Sequence, residues 1–159
     1  MKKQEELINL LIQNNMTITT AESCTGGMIS SSLVDVPGAS NVLNEAYVTY
    51  SNEAKMRLLN VSRETLDTVG AVSEKTAYEM VKNVAVVASA DCAIAVTGIA
   101  GPDGGSPDKP VGTVYAGFYC KGNILVKRYN FDGNRTSVRE QTVSACVDDM
   151  IEIIKKVKS

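Results

Sequence analysis

The chain contains no histidine. That absence excludes a Ser-His-Asp triad, a Cys-His dyad and any imidazole-based acid–base chemistry. It also lacks a C-x-x-C pair. Its four cysteines, Cys24, Cys92, Cys120 and Cys146, are dispersed, and without histidine the usual zinc ligand sets cannot be assembled. No metal and no cofactor are expected. The cysteines read as reduced thiols of a cytoplasmic protein, three of them as small core residues. No apolar stretch reaches the length of a membrane span. The N-terminal MKKQEELINLLIQNN carries Glu5 and Glu6 and no small-residue cleavage pattern, so it does not read as a signal peptide. Sixteen basic against eighteen acidic side chains leave a net charge of −2, and there is no long Lys/Arg run. Neither nucleic acid nor a membrane is an expected partner. Internal repeats, linkers and low-complexity tracts are missing too. What remains is an ordinary globular composition, 44% hydrophobic and 21% charged over 159 residues, of a size for one domain covering 1–159.

Hydrophobic periodicity and punctuation give an alternating order of elements. Lys3–Gln13 is amphipathic, with Leu7, Leu10 and Leu11 on one face, and predicts a helix. The β-branched run Thr17–Ala21 predicts a strand, and Gly26–Val34 a helix that stops before Pro37. Ala46–Tyr50 predicts a strand. Asn52–Leu59 predicts a helix capped by Ser51 or Asn52, with Glu53 in its first turn. Ser62–Leu66 reads as a helical turn, and Ser73 caps a helix over Glu74–Ala88. The apolar run Cys92–Thr97 suits a central strand covered on both faces. A glycine-rich loop spans Gly98–Gly112. Thr113–Tyr119 and Ile124–Phe131 are separated only by Cys120–Asn123 and should pair as an antiparallel hairpin. Asn134–Lys156 closes the chain as a long helix. Strands alternating with helices imply an α/β fold, a three-layer α/β/α sandwich around a mixed, mostly parallel sheet.

One stretch raises a chemical question. Thr17–Met28 reads TITTAESCTGGM and places two nucleophiles, Ser23 and Cys24, at a strand-to-helix turn. Ligands of open α/β sheets bind at the carboxyl ends of strands. The first N–H groups of the following helix, at Thr25, Gly26 and Gly27, could stabilise an oxyanion, and the two glycines would let a substrate approach the backbone. The plainer reading is that Ser23 or Thr25 caps the helix. Cys24 competes as nucleophile, because a thiol near a helix N-terminus has a lowered pKa; its plainer reading is a buried apolar residue.

With no histidine, the base must be something else. Lys55 is the best candidate: it sits near the start of a helix, where the positive dipole end and burial would both disfavour its ammonium form. An ordinary helix-surface lysine is the alternative. Tyr50 is a second proton-handling candidate, against a core or rim tyrosine. Glu22 could orient Lys55 or lie on the surface. The glycine loop matches neither a P-loop nor a dinucleotide fingerprint, yet its amides could form an anion nest. Arg135 and Arg139 lie four apart on one helical face and could grip a phosphate, or could simply be solvated.

The segments TAESCTGG, VTYSNEAK, GAVSE, TGIAGPDGGSPDKPVGTV and GNRTSVREQ together resemble the CinA C-terminal domain family in order and spacing, from about Glu5 to about Ile154. Members of the PncC type in that family act as nicotinamide mononucleotide deamidases. The resemblance implies a three-layer sandwich, a Ser/Lys catalytic pair at Ser23 and Lys55 with Tyr50 nearby, and a homo-oligomer. It implies a small-molecule nucleotide substrate, hydrolysed at its carboxamide to nicotinate mononucleotide and ammonia. It favours Ser23 over Cys24, which turn geometry alone leaves open. Substrate binding would fall to Glu22, to Thr97, Gly98, Gly101, Gly104 and Gly105 of the central strand and its loop, and to Arg135 or Arg139. Longer CinA proteins carry a further N-terminal domain, and this chain reads as a stand-alone deamidase. Two other functions use the same residues: a non-catalytic pyridine-nucleotide-binding regulatory module, and a hydrolase of another small amide.

Overall fold

In the computed structural model, which describes residues 2–158, five strands form one sheet in the order β2-β1-β3-β4-β5. They are β1 (Ile18–Glu22), β2 (Tyr47–Val48), β3 (Cys92–Gly98), β4 (Thr113–Cys120) and β5 (Asn123–Asn130). β1 pairs in parallel with both β2 and β3. β4 runs antiparallel to β3, and β5 antiparallel to β4. The sheet is therefore mixed, with only β4 reversed. The expected hairpin is present, turning through Lys121 and Gly122, both at positive φ, the signature of a two-residue primed turn.

Six α-helices flank the sheet: α1 (Lys3–Gln13), α2 (Met28–Val34), α3 (Asn52–Leu59), α4 (Arg63–Thr68), α5 (Glu74–Val87) and α6 (Arg135–Lys158). One face is covered by α1, α2 and α6. There Leu7, Ile8 and Leu11, Ile29 and Leu33, and Cys146 to Ile154 pack on Ile18, Ile94, Val96 and Phe118. The other face is covered mainly by α5, whose Met80, Val81 and Val84 pack with Leu59 and Leu66 on Ala21, Ala93 and Ala95. The alanines of β1 and β3 on this side let α5 lie close. β3 is buried along nearly its whole length, which is why its sequence reads as a continuous apolar run.

Two boundaries differ from expectation for a physical reason. α2 begins at Met28 and not at Gly26, because Gly26 (φ +57°) and Gly27 (φ +102°) both adopt left-handed backbone, which a right-handed helix cannot include. β2 shrinks from the expected 46–50 to Tyr47–Val48, because it is an edge strand paired only to the end of β1. A short 3₁₀ turn at Ala39–Asn41 had no signal of its own in the sequence.

Candidate active site

The carboxyl ends of β1 and β3 lie side by side, with Glu22 opposite Val96. β1 leads into the turn that carries Ser23, and β3 leads into the glycine-rich loop. A cleft of about 260 Å³ opens there, lined by Ser23, Cys24, Tyr50, Asn52, Lys55, Ala71, Val72, Thr97, Gly98, Ala100 and Arg135. An order 2-1-3 with chain leaving β1 and β3 in different directions creates a crevice at the strand ends, the place where such sheets bind ligands.

Lys55 forms the floor. It is 1% exposed, so the surface-lysine alternative is overturned. The helix forces this: Lys55 and Leu59 are the two buried residues of α3, four apart on the inward face. Its Nζ donates to Ser23 Oγ at 3.1 Å and to the Tyr50 carbonyl at 3.2 Å. Among the described residues, no carboxylate forms an ion pair with it. Burial pushes its pKa below the usual lysine value, opposed weakly by the neighbouring Cys24. An amine stripped of water, without a counter-ion, favours its neutral form. Ser51 caps α3 by accepting from the Ala54 N–H at 3.0 Å, which fixes where Lys55 starts its reach.

Ser23 is 8% exposed, and its hydroxyl also donates to the Tyr50 carbonyl at 3.4 Å. Ser23 does not cap α2, and neither does Thr25. That task falls to Glu22, which is completely buried. Its carboxylate accepts the N–H groups of Ile29 (2.8 Å) and Ser30 (3.0 Å) and the hydroxyls of Thr25 (2.7 Å) and Thr20 (3.2 Å). Neither earlier reading of Glu22 holds: it is not on the surface, and it has no bond to Lys55. Each of its oxygens accepts two of these bonds, and it does not line the cleft.

This cap changes the oxyanion expectation. The positive end of α2 is already neutralised by Glu22, and the Gly26 N–H is engaged by the Ser23 carbonyl at 3.1 Å. Thr25, Gly26 and Gly27 do not line the cleft.

The Cys24 thiol is buried, and burial pushes its pKa up to about 11, with the nearby Glu22 charge adding to the rise. The expected lowering by a helix N-terminus does not occur, since the helix starts four residues later and is capped by an anion. At neutral pH Cys24 is an unionised thiol, a poor nucleophile.

The arginines separate. Arg139 turns inward: its Nε donates to the Cys24 carbonyl at 3.0 Å and its Nη2 to the Thr25 carbonyl at 3.1 Å, tying the serine turn to α6. Arg135 lines the cleft, donating to the Gly101 carbonyl at 2.7 Å and to the Tyr50 phenol oxygen at 3.1 Å. Tyr50 therefore meets the Ser/Lys pair through its backbone carbonyl, while its exposed phenol is held by Arg135. Thr97 lines the cleft but spends its hydroxyl on the Ala71 carbonyl at 2.8 Å. Gly98 is packed so tightly that a Cβ would fall 2.7 Å from Val114 Cγ2 and 2.9 Å from the Thr113 carbonyl. Gly101, Gly104 and Gly105 shape the loop outside the cleft wall; a Cβ on Gly101 or Gly105 would meet Val111.

Asn52, Ala71, Val72 and Ala100 were missed as lining residues. Asn52 read only as a cap, and Ala71-Val72 belong to the GAVSE segment, whose resemblance was visible but whose position was not. Lys109 staples that segment in place, donating to the carbonyls of Val69 (3.1 Å) and Val72 (2.5 Å). Among the described residues no His/Cys/Asp/Glu cluster could hold a metal, and no helix is long and apolar enough to cross a membrane.

Comparison with known proteins adds relatives to this geometry. A family model described as the CinA C-terminal domain matches residues 1–154. A competence-damage inducible protein of Clostridium novyi is 49% identical over 154 residues, covering 96% of this chain and 37% of the relative. A CinA-like protein of Kosmotoga olearia is 47% identical over 145 residues, covering 91% of this chain and 35% of the relative. The chain thus spans little more than a third of these relatives. Among solved structures, a CinA superfamily protein from Klebsiella pneumoniae superposes with a TM-score of 0.93 at 35% identity, covering 97% of this chain and 96% of the other. A competence/damage inducible protein from Agrobacterium tumefaciens gives a TM-score of 0.88 at 40% identity, with 96% of each chain covered.

Proposed function

Because the chain belongs to the CinA C-terminal domain family, we propose that it is an amidohydrolase that converts the carboxamide of nicotinamide mononucleotide to the carboxylate, releasing ammonia through a serine acyl-enzyme. The observation that carries this reading is the buried, counter-ion-free Lys55 amine 3.1 Å from the Ser23 hydroxyl at the floor of an open cleft. That is the contact a nucleophile and its base require.

In the proposed reaction, neutral Lys55 takes the Ser23 proton as Oγ attacks the amide carbon. In this reading the oxyanion that develops is served by the backbone N–H beside the nucleophile, that of Cys24. The C–N bond breaks as Lys55 returns its proton to the departing ammonia. Water then attacks the ester, Lys55 accepts a proton from it, and Ser23 leaves as the free hydroxyl. The Tyr50 carbonyl holds the amine in line in both half-reactions, since it accepts from Nζ. Arg135, at the open side, supplies positive charge for the 5′-phosphate. The uncharged wall of Ala71, Val72 and Ala100 suits the pyridine ring.

The test is direct. Purified protein with nicotinamide mononucleotide should release ammonia and nicotinate mononucleotide in equal amounts. Ser23→Ala and Lys55→Ala should each lower turnover by roughly a thousandfold or more. Full activity in Ser23→Ala would end the serine mechanism. Tight nucleotide binding without turnover in the unaltered protein would favour the regulatory-module alternative, and turnover of other small amides in preference would reassign the substrate.

A further inference from the structure

Away from the cleft, two of the four cysteines face each other. Cys92 opens β3, Cys120 closes β4, and they are direct partners in the antiparallel register. Both are free thiols, and their Sγ atoms lie 3.5 Å apart. The backbone bonds identify the kind of pair. The Lys121 N–H donates to the Asp91 carbonyl at 2.9 Å, while the Cys92 N–H turns away to the Thr17 carbonyl beside β1. Cys92 and Cys120 are therefore a non-hydrogen-bonded pair. In such pairs the Cα atoms approach to about 4.5 Å and the side chains come closest. That separation falls within the roughly 4.4–6.8 Å that a disulfide spans. Cys24 and Cys146 share no comparable sulfur–sulfur contact among the described residues.

We propose that Cys92 and Cys120 form a reversible redox pair that closes into a cross-strand disulfide when met by a low-molecular-weight disulfide oxidant. Both sulfurs are buried, but they lie just beneath the exposed hairpin tip at Lys121–Gly122, so fraying of that end of the sheet admits the oxidant. The Cys92 thiol donates to the Cys120 sulfur, which holds the Cys120 pKa below its usual value and the Cys92 pKa above it. Cys120, which directly precedes the hairpin tip where the oxidant enters, is the first nucleophile. Its thiolate attacks the oxidant disulfide, forms a mixed disulfide and expels one thiolate. Cys92 loses its proton to water and attacks the Cys120 sulfur, expelling the second. The pair gives up two electrons and two protons, and the oxidant leaves as two thiols.

The bridge would tie together the ends of residues 92–120, the segment that holds the whole glycine-rich loop. It sits at the opposite end of β3 from the cleft, so its effect falls on stability rather than on chemistry. Closing a loop of this length should raise the thermal midpoint by roughly 5–10 °C.

The experiment treats the native full chain with oxidised glutathione, alkylates the remaining thiols and maps peptides by mass spectrometry. The expected product is a Cys92–Cys120 linked peptide with Cys24 and Cys146 still alkylated, a higher thermal midpoint, and reversal by dithiothreitol. The link should persist in a Cys24→Ala/Cys146→Ala double variant and vanish in Cys120→Ala. A Cys24–Cys146 link, glutathione adducts without an internal bridge, or a bridge that forms only in denaturant would overturn the proposal. None of these readouts depends on amide hydrolysis.

Discussion

Lys55 concentrates the energetic tension of the molecule. Its pKa is lowered in the folded state by burial, whereas an unfolded lysine keeps the usual value. Between those two values the unfolded chain binds more protons than the folded one, so stability rises with pH across that window. Below it, the full penalty of a buried ammonium is present. Lys55→Met, a near-isostere without charge, should therefore raise the thermal midpoint near pH 7. The gain should shrink as pH climbs toward the usual lysine range, while turnover stays abolished at every pH. Thermal denaturation of both proteins at a series of pH values checks this. The same lowered pKa gives kcat/KM a rising limb as the amine loses its proton. That limb should lie below the usual lysine range; a flat profile across it would remove Lys55 as the base. Cys24 makes the opposite prediction. Its thiol is raised to about 11, so Cys24→Ser should keep turnover within roughly tenfold, and alkylation by iodoacetamide at neutral pH should be slow.

At the scale of elements, the serine turn is held from two sides by residues that do not line the cleft. Glu22 caps α2 from below, and Arg139 of α6 grips the carbonyls of Cys24 and Thr25 from the side. Glu22→Gln keeps the shape but replaces a charged acceptor with a neutral one that can accept at one atom only. It should cost about 2–3 kcal/mol in denaturant unfolding, since hydrogen bonds to charged groups contribute about 1.5–3 kcal/mol each. Arg139→Gln should lower kcat with KM little changed, because the turn loses its orientation while the cleft wall stays. Arg139→Lys should restore little, because an ammonium lacks the rigid planar fork that aims separate N–H groups at the Cys24 and Thr25 carbonyls. Steady-state kinetics separate that outcome from a phosphate-binding role, in which KM would rise. These details also mark the limits of the sequence. The order of elements, the hairpin and the nearness of Ser23 to Lys55 followed from periodicity and from the family resemblance. Glu22 and Arg139 did not. Glu22 ends a strand in sequence, and nothing local shows that its side chain bends forward under the next helix. Arg139 shares a helical face with Arg135, and spacing along one helix says nothing of what the adjacent turn offers it. Lys55 was partly legible, since Leu59 one turn later already marks its face of α3 as the inward one.

Across the whole molecule, the cleft is a meeting point of parts that fold from distant segments. The turn after β1 brings Ser23, α3 the Lys55 amine, and the glycine-rich loop one wall, while the 69–72 segment before α5 brings the other. That last wall depends on how closely α5 lies on the sheet. Gly117 of β4 sets the approach: a Cβ there would fall 2.8 Å from the Ala77 carbonyl and 2.8 Å from Val81 Cγ1. Thr97 of β3 then ties the Ala71 carbonyl to the sheet, so a shift of α5 reaches the cleft. Gly117→Ala should destabilise the fold by about 1–3 kcal/mol, the usual cost of overpacking, and should also raise KM. Gly122→Ala is the internal control. It sits in the hairpin turn at φ +90° with nothing within 4 Å of its Cβ position, so it strains the backbone locally and should leave KM unchanged. Denaturant midpoints and KM measured on both variants distinguish a loss transmitted through α5 from a general loosening. If the two glycine variants raise KM equally for equal loss of stability, the cleft does not depend on the seating of α5.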